Sequence, residues 1–232
     1  MSLYKLFVSF LAVSVIACNG NAQKNISLSP QDFEKGITGK DIQILDVRTM
    51  EEYESGHIKN ALLADWTNQE QFKERVAALV KTKPVYTYCL SGGRSGQAAS
   101  WMKKNGFETV FNLDGGITAW KKANLPLEGK QKEKQMSIAA YDSLIPADKT
   151  VLVDIGAVWC PPCIKMNPVI DSLATSKDLN FILVKIDGGE QEQLVKELAI
   201  ESFPTFIIYK NGKEIWRKKG IIAAEELAEK IQ

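Results

Sequence analysis

The sequence has few of the residues that build metal sites and disulfide frameworks: its 232 residues include four cysteines and one histidine. The formal net charge at pH 7 is +1, and no basic run is interleaved with aromatic residues, which argues against a nucleic-acid partner. Internal repeats and low-complexity tracts are also missing from the sequence. Because the chain has neither a second CxxC nor a histidine pair, a zinc site is disfavoured, and we predict no metal and no other cofactor.

The few cysteines are informative because each has its own context. Cys18 ends an N-terminal apolar segment, Cys89 precedes a Gly-Gly-Arg loop, and Cys160 and Cys163 form a CxxC. None remains for a separate structural disulfide, so we interpret the cysteines by their chemistry. A chain of 232 residues is long enough for two small domains, each with its own core.

The N-terminal segment 1–17 is predicted to be an export signal. A lysine at position 5 is followed by about a dozen apolar residues, which are too few to span a bilayer permanently. The end of this segment, Val15-Ile16-Ala17-Cys18, resembles a bacterial lipobox. That resemblance implies cleavage before Cys18, lipid attachment there, and anchoring to a membrane on the periplasmic side of the cell envelope. Cleavage after Ala22, which would release a soluble protein, is the alternative.

The CxxC lies between a predicted buried strand, residues 151–158, and a predicted helix. Apolar residues recur at helical spacing from Cys163 to position 174. This places Cys160 at a helix N-terminus, where unpaired N–H groups and the helix dipole favour the thiolate and lower the thiol pKa. We therefore predict that Cys160 is a nucleophile and that Cys163 resolves its mixed disulfides.

The stretch from about residue 135 to 232 resembles the thioredoxin family. The matching motifs occur in family order: Asp154, Trp159-Cys160-Pro161-Pro162-Cys163, Ser202-Phe203-Pro204-Thr205 and Tyr209-Lys210-Asn211-Gly212-Lys213.

This resemblance implies a role for several single residues. Pro204 would belong to a cis-proline loop that receives an extended substrate backbone, and Asp154 would relay a proton to and from Cys163. From its place beside Cys160, Trp159 is expected to face the substrate at the protein surface, and a core aromatic is the alternative. Gly156 departs from the family, which often has an aromatic residue there, so we expect looser packing beneath the dithiol.

The third cysteine context is a strand, loop and helix around Cys89. A predicted strand at 85–88 runs into Cys89, and a helix is predicted from about Ser95 to Lys104. Glycines at 92 and 93 permit a tight turn that directs backbone N–H groups and the helix N-terminus at the cysteine. The sequence thus predicts an anion cradle beneath a thiolate, which phosphatases and sulfurtransferases both build.

Spacing and further motifs resemble the rhodanese family. Four residues separate Cys89 from Arg94, whereas tyrosine-phosphatase-like loops have five. Other matches are Leu45-Asp46-Val47-Arg48, Glu52-Tyr53, Gly56-His57-Ile58 and Asp114-Gly115-Gly116.

The rhodanese resemblance implies that Cys89 accepts sulfane sulfur from a donor and forms a persulfide. Arg94 would close the loop and assist with charge, while His57 and the pair Asp46 and Arg48 would be structural. Many thiosulfate-using members have a cation after the cysteine, and Leu90 stands there in this chain. The amides expected to hold the persulfide are those of Leu90, Ser91, Gly92, Gly93 and Ser95, besides Arg94.

We therefore predict an α/β protein with a rhodanese-like parallel-sheet domain at 25–126 followed by a thioredoxin-like domain at 136–232. Lys121 to Gln135 is predicted to be a solvated hinge, with the linker proper at 127–135.

The expected function is that of an exported, membrane-anchored thiol–disulfide oxidoreductase with a sulfurtransferase domain. Its partners would be disulfide-containing proteins, a sulfane-sulfur donor, and a membrane electron donor or acceptor. Cys160 could also discharge a persulfide on Cys89. The alternative is a redox-regulated binding module whose rhodanese-like domain is catalytically silent.

Overall fold

The computed structural model describes residues 26–129 and 134–232, so the predicted signal segment and Cys18 lie outside the described residues. Two α/β domains follow one another along the chain. Within the described ranges, no helix combines the length and the apolar character needed to cross a membrane.

The first domain is built on a sheet of five parallel strands in the order β1-β5-β4-β2-β3. Parallel strands need crossover connections, and helices in these connections cover both faces of the sheet. The elements are β1 (Ile26–Leu28), α1 (Pro30–Ile37), β2 (Gln43–Asp46), α2 (Met50–Glu54), β3 (Leu62–Leu63), α3 (Gln69–Ala77), β4 (Val85–Tyr88), α4 (Gly93–Lys104), β5 (Val110–Leu113) and α5 (Gly116–Lys122).

Alternate residues of these strands enter two separate hydrophobic clusters. Ile44 and Leu63 belong to one cluster, together with residues of α1 and α5. Their chain neighbours Leu45 and Ala64 belong to the other, together with residues of α3 and α4. Since successive side chains of a strand point to opposite faces, the two clusters lie on opposite faces of the sheet.

The second domain has a mixed sheet in the order β7-β6-β8-β9. The pair β6 and β7 is parallel, and β8 runs antiparallel to both β6 and β9. This arrangement, with the all-parallel first sheet, confirms the expected fold class. The elements are α6 (Ile138–Asp142), β6 (Thr150–Gly156), α7 (Pro161–Ala174), β7 (Ile182–Asp187), α8 (Glu192–Glu197), β8 (Thr205–Lys210), β9 (Lys213–Lys219) and α9 (Ala224–Ile231).

The segment between the domains differs from the solvated hinge expected from Lys121 onward. Its first two lysines complete α5, and the Trp120 indole donates a hydrogen bond to the carbonyl oxygen of Pro126 at 2.9 Å. Leu127 packs on the core cluster of the first domain, and Glu128 forms a β-bridge with His57. The first part of the predicted hinge, residues 121–128, is therefore packed on the first domain, and residues 130–133 lie outside the described residues.

The two domains are docked on each other. Trp159, Cys160 and Cys163 of the second domain belong to the same hydrophobic cluster as Tyr53 and Leu63 of the first. The Leu63 N–H donates a hydrogen bond to the Trp159 carbonyl oxygen at 2.9 Å, and helices α3 and α7 are in contact. The edge strand β3 of the first sheet therefore lies against the loop that carries the dithiol.

Candidate functional site

Cys89 lies at the carboxyl end of β4, where the chain turns into α4. Its sulfur accepts hydrogen bonds from the Gly92 backbone N–H at 3.1 Å and from the Ser95 hydroxyl at 3.3 Å. Gly92 has a φ of 95°, in the left-handed region, and this conformation curls the loop back over the sulfur. The expected cradle of donors around the thiol is therefore present.

The electrostatic environment of Cys89 favours the thiolate. Burial raises the pKa of the thiol, but hydrogen bonds from Ser95, Ser91 and Gly92 oppose this effect, and the net shift is downward. A lowered pKa increases the fraction of nucleophilic thiolate at neutral pH. Leu90, in contrast, contributes no polar side chain and lies at the mouth of the loop with 49% of its surface exposed.

Helix α5 supports the loop from below. The carbonyl oxygen of Cys89 accepts the Ile117 N–H at 2.8 Å, and that of Leu90 accepts both the backbone N–H and the hydroxyl of Thr118. A Cβ atom at Gly116 would lie 2.5 Å from the Cys89 carbonyl oxygen, so only glycine permits this approach. The Asp114-Gly115-Gly116 motif thus holds the loop in place.

Arg94 does not donate to the Cys89 sulfur but pairs with Glu52. Its guanidinium makes two hydrogen bonds to the Glu52 carboxylate, at 2.6 and 2.7 Å. This pairing, with a smaller contribution from the Thr49 N–H, lowers the pKa of Glu52 to about 2. Arg94 therefore ties the loop to α2. Glu52, its partner in this contact, was not expected from the sequence.

Asp46, Arg48 and His57, which were expected to be structural, make contacts within the first domain. Arg48 and Asp46 form a buried ion pair at 2.6 Å, and Arg48 also donates to the Gly56 carbonyl oxygen. The His57 ring stacks on Tyr53 with their centroids 3.8 Å apart. These contacts join β2 to the turn at Gly56, which confirms the prediction of a structural ion pair.

The second site contains Cys160 and Cys163, which are joined in a disulfide. Cys160 is the N-cap of α7, and its sulfur accepts the Cys163 backbone N–H at 3.3 Å. The Phe203–Pro204 peptide bond is cis, which agrees with the loop expected at this position. The ring of Phe203 lies 5.8 Å from that of Trp159, so this loop and the dithiol loop are neighbours.

Asp154 lies on β6 beneath the dithiol and is 9% exposed. Burial raises its pKa to about 6, despite the opposing charge of Lys185. A Cβ atom at Gly156 would lie 3.3 Å from the Cys163 sulfur and 3.9 Å from a carboxylate oxygen of Asp154. Gly156 therefore packs closely against Cys163, and Asp154 and Cys163 both line a cavity of about 450 Å³.

Trp159 and Cys160 are not at the protein surface, where the sequence analysis expected Trp159 to face a substrate. Trp159 is 7% exposed and Cys160 is 0% exposed, because the first domain covers them. The Arg75 guanidinium lies 4.9 Å from the centroid of the Trp159 ring. Burial lowers the pKa of Arg75 to about 10. No sequence pattern predicts this contact, since Arg75 resembles any other polar residue of an amphipathic helix.

The two sulfur sites are not brought together. Cys89 belongs to the hydrophobic cluster that contains Ala64, whereas Cys160 belongs to the cluster that contains Leu63. The loop that carries Cys160 lies against edge strand β3, and the two cysteines are in separate clusters.

These features define an α/β protein with a dithiol at a helix N-terminus in one domain and a cysteine cradled by amides in the other. The family model of the rhodanese-like domain matches residues 29–123, and that of thioredoxin matches residues 132–232. The chain is 35% identical to a thioredoxin of Chlorobaculum thiosulfatiphilum over 88 residues, or 38% of this chain and 82% of that protein. The chain belongs to the thioredoxin family, and its thioredoxin domain follows a rhodanese-like domain.

Longer relatives match as well. Thioredoxin Y2, a chloroplastic protein of Arabidopsis thaliana, is 39% identical over 108 residues, which are 46% of this chain and 64% of that protein. The tRNA uridine(34) hydroxylase of Onion yellows phytoplasma is 31% identical over 142 residues, which are 57% of this chain and 44% of that protein. The chain thus spans less than two thirds of the length of both relatives.

Proposed function

We propose that this protein is an exported thiol–disulfide oxidoreductase that acts on protein disulfides, with a rhodanese-like domain that carries sulfur on Cys89. The observation that carries the proposal is the position of the Cys160–Cys163 disulfide at the N-terminus of α7, with the cis-proline loop beside it. Unpaired N–H groups at this helix end stabilise a thiolate on Cys160 once the disulfide is reduced.

The proposed exchange begins when the Cys160 thiolate attacks a substrate disulfide and releases one substrate thiolate. Cys163 then loses its proton and attacks the Cys160 sulfur, which releases the second substrate thiolate and forms the Cys160–Cys163 disulfide. Asp154 is suited to accept the Cys163 proton, because both groups line one cavity and the pKa of Asp154 is about 6. A membrane electron donor or acceptor would then reset the dithiol.

The proposed chemistry of the first domain is sulfur transfer. The Cys89 thiolate would attack a sulfane-sulfur donor, take its outer sulfur and release the remaining thiolate. The amides that curl over Cys89 would then hold the persulfide anion, as they now donate to the thiol sulfur. Arg94 would contribute by fixing the loop through its pair with Glu52.

Sulfur exchange between the domains is a further part of the proposal. The Cys160 thiolate would take the outer sulfur of the Cys89 persulfide, and Cys163 would then displace hydrosulfide and close the disulfide. Cys160 is 0% exposed in the docked arrangement, so this exchange would require the domains to separate. Their tether would keep the effective concentration of Cys160 in about the millimolar range.

Export and lipid attachment at Cys18 are also part of the proposal, and they depend on the sequence of the N-terminal segment alone. Labelled palmitate fed to expressing bacteria should appear on the wild-type protein. A Cys18→Ala variant should carry no label, and label on that variant would refute lipid attachment at this residue.

Insulin reduction tests the oxidoreductase. The chain, supplied with dithiothreitol, should reduce insulin, and Cys160→Ser should lose this activity while Cys89→Ser keeps it. Unchanged insulin reduction by Cys160→Ser would refute the proposal.

For sulfur transfer, incubation with polysulfide should add the mass of one sulfur atom to the peptide that contains Cys89. If no sulfur is added, the silent binding module becomes the better interpretation of the first domain.

A further inference from the structure

The surface around the nucleophilic cysteine is closed by the chain itself. Cys160 is 0% exposed, although Val158, two residues earlier on the same loop, is 75% exposed. The difference arises because Trp159, Cys160 and Cys163 pack into the cluster of the first domain that contains Tyr53 and Leu63. A protein disulfide cannot reach the Cys160 sulfur while these contacts persist.

Hydrogen bonds and a cation–π contact, in addition to apolar burial, hold the first domain over Cys160. The Leu63 N–H on edge strand β3 donates to the Trp159 carbonyl oxygen at 2.9 Å. The Arg75 guanidinium donates to the Leu63 carbonyl oxygen at 3.0 Å and lies 4.9 Å from the Trp159 ring centroid. One arginine therefore holds the edge strand and the tryptophan together, through a cation–π contact that is strong when desolvated.

The outer side of α3 adds a complementary charge contact. Glu74 is exposed on α3, and its carboxylate lies 3.9 Å from the position of a Cβ atom at Gly220 in the second domain. Lys219, the neighbour of Gly220, pairs with Glu201 at 2.9 Å, and Glu74 and Glu70 add a weaker attraction to its positive charge. The interface therefore continues from the buried Trp159 to a rim of opposite charges.

Cys163 is 8% exposed, and it borders a cavity on the side of the disulfide away from the first domain. The cavity of about 450 Å³ beside Gly156 is lined by Cys163, Asn167 and Lys185, which all belong to the second domain. A small molecule can occupy such a space, whereas a folded protein cannot. In the docked chain, a small reactant can therefore reach Cys163, whereas a protein cannot reach Cys160.

We propose that the rhodanese-like domain acts as a gate on the thioredoxin domain. While the domains are docked, it keeps protein disulfides away from Cys160, and it admits them when the domains separate. This inference rests on the proposed oxidoreductase function. Small disulfides react without opening: the Cys163 thiolate attacks one and releases a first thiolate. Cys160 then attacks the Cys163 sulfur and releases a second, so that the dithiol is oxidised and the small disulfide is reduced.

Two variants of the full chain test the gate. Arg75→Ala removes the contact with Trp159, and Glu74→Lys places a like charge opposite Lys219 on an exposed surface that cannot unfold the domain. Glu229→Lys makes the same charge change on α9 and is the matched control. The readouts are amide hydrogen exchange at Leu63 and the kcat/KM values for insulin and for hydroxyethyl disulfide.

The gate predicts that Arg75→Ala exchanges the Leu63 amide faster and gains about tenfold in kcat/KM for insulin. Glu74→Lys should shift both quantities in the same direction by a smaller factor, and the rate with hydroxyethyl disulfide should stay near that of the wild type. The gate would be overturned if, in both variants, the Leu63 amide exchanges at the rate of the control. The ratio of kcat/KM for insulin to that for hydroxyethyl disulfide would then also equal the control value. Faster exchange without insulin reduction in any variant would instead refute the oxidoreductase function and retain the docking.

Discussion

Glu52 and Arg94 are joined by two hydrogen bonds of 2.6 and 2.7 Å that connect α2 to the loop around Cys89. Glu52 also accepts the Thr49 N–H and so completes the capping box of α2. One carboxylate therefore caps the start of α2 and holds Arg94 of the loop around Cys89. Loss of this carboxylate should affect both stability and sulfur transfer.

The first prediction concerns Glu52→Gln and pH. The folded-state pKa of Glu52 is about 2, below the ordinary glutamate value of 4.5, so the pair stabilises the protein above about pH 4.5. This stabilisation is lost as the pH falls from 4.5 towards 2. At pH 7 the variant should lose about 1–2 kcal/mol of unfolding free energy, after allowance for solvent screening of this partly exposed pair. Urea unfolding of both proteins at pH 7 and pH 3 measures the difference.

The neighbouring Glu51 provides the control for this prediction, because it is exposed on the same turn of α2 and does not pair with Arg94. Glu51→Gln should unfold within about 0.5 kcal/mol of the wild type. An equal loss in the two variants, or a Glu52→Gln deficit that persists unchanged at pH 3, would contradict the assigned pair.

The second prediction concerns Asp154→Asn. The pKa of Asp154 is raised by burial from 3.8 to about 6, so the folded state holds a proton that the unfolded state releases. Stability therefore falls as the pH rises from about 4 to 6 and stays lower above that range. Asp154→Asn removes this penalty and should gain about 2 kcal/mol at pH 7. The same variant should reduce insulin at least about tenfold more slowly, because Cys163 loses its proton acceptor.

Asp178→Asn, on an exposed turn of the second domain, is the control and should change neither quantity. The decisive measurement is the pH profile of insulin reduction. A rise in rate with a midpoint near pH 6 should be present in the wild type and missing in Asp154→Asn. If both proteins share that rise, Asp154 is not the proton acceptor.

The third prediction tests the hydroxyl that contacts the Cys89 sulfur. Ser95→Ala removes the donor at 3.3 Å, and the pKa of the Cys89 thiol should rise because its thiolate loses a hydrogen bond. Alkylation of Cys89 by iodoacetamide should become several-fold slower at pH 7, with its midpoint at higher pH. Ser91→Ala is the matched control, since Ser91 acts through its backbone N–H, which the substitution keeps. Identical alkylation profiles for the two variants would refute the role of the hydroxyl.

The sequence was sufficient for the fold class and for the local structure around the cysteines, because both are encoded in local patterns. A cysteine followed by a glycine turn and a helix predicts a cradle wherever it occurs, and the amides around Cys89 are found as expected. The looser packing predicted from Gly156 is not confirmed, because a Cβ atom there would lie only 3.3 Å from the Cys163 sulfur.

The docked interface could not be predicted, because it depends on a pairing between distant segments. Strand β3 has only two residues, too few for a recognisable alternating pattern, yet its Leu63 N–H contacts the Trp159 carbonyl oxygen. Arg75 carries no motif, and its burial follows only from the position of the second domain. Trp159 was therefore expected at the surface although it is buried.

The last prediction concerns the donor of sulfur and the residue after the nucleophile. Leu90 is 49% exposed at the mouth of the Cys89 loop and offers no charge to a dianion such as thiosulfate. We expect the wild type to use polysulfide better than thiosulfate. Leu90→Arg should raise kcat/KM for thiosulfate by about tenfold, because a cation at the mouth attracts the dianion and stabilises its bound form.

Leu90→Met, which is similar in size and uncharged, should leave the rate unchanged. The gain in Leu90→Arg should also shrink at high salt, since exposed charges are screened. A gain that is equal in Leu90→Met, or that is insensitive to salt, would show that loop packing and not charge determines the donor.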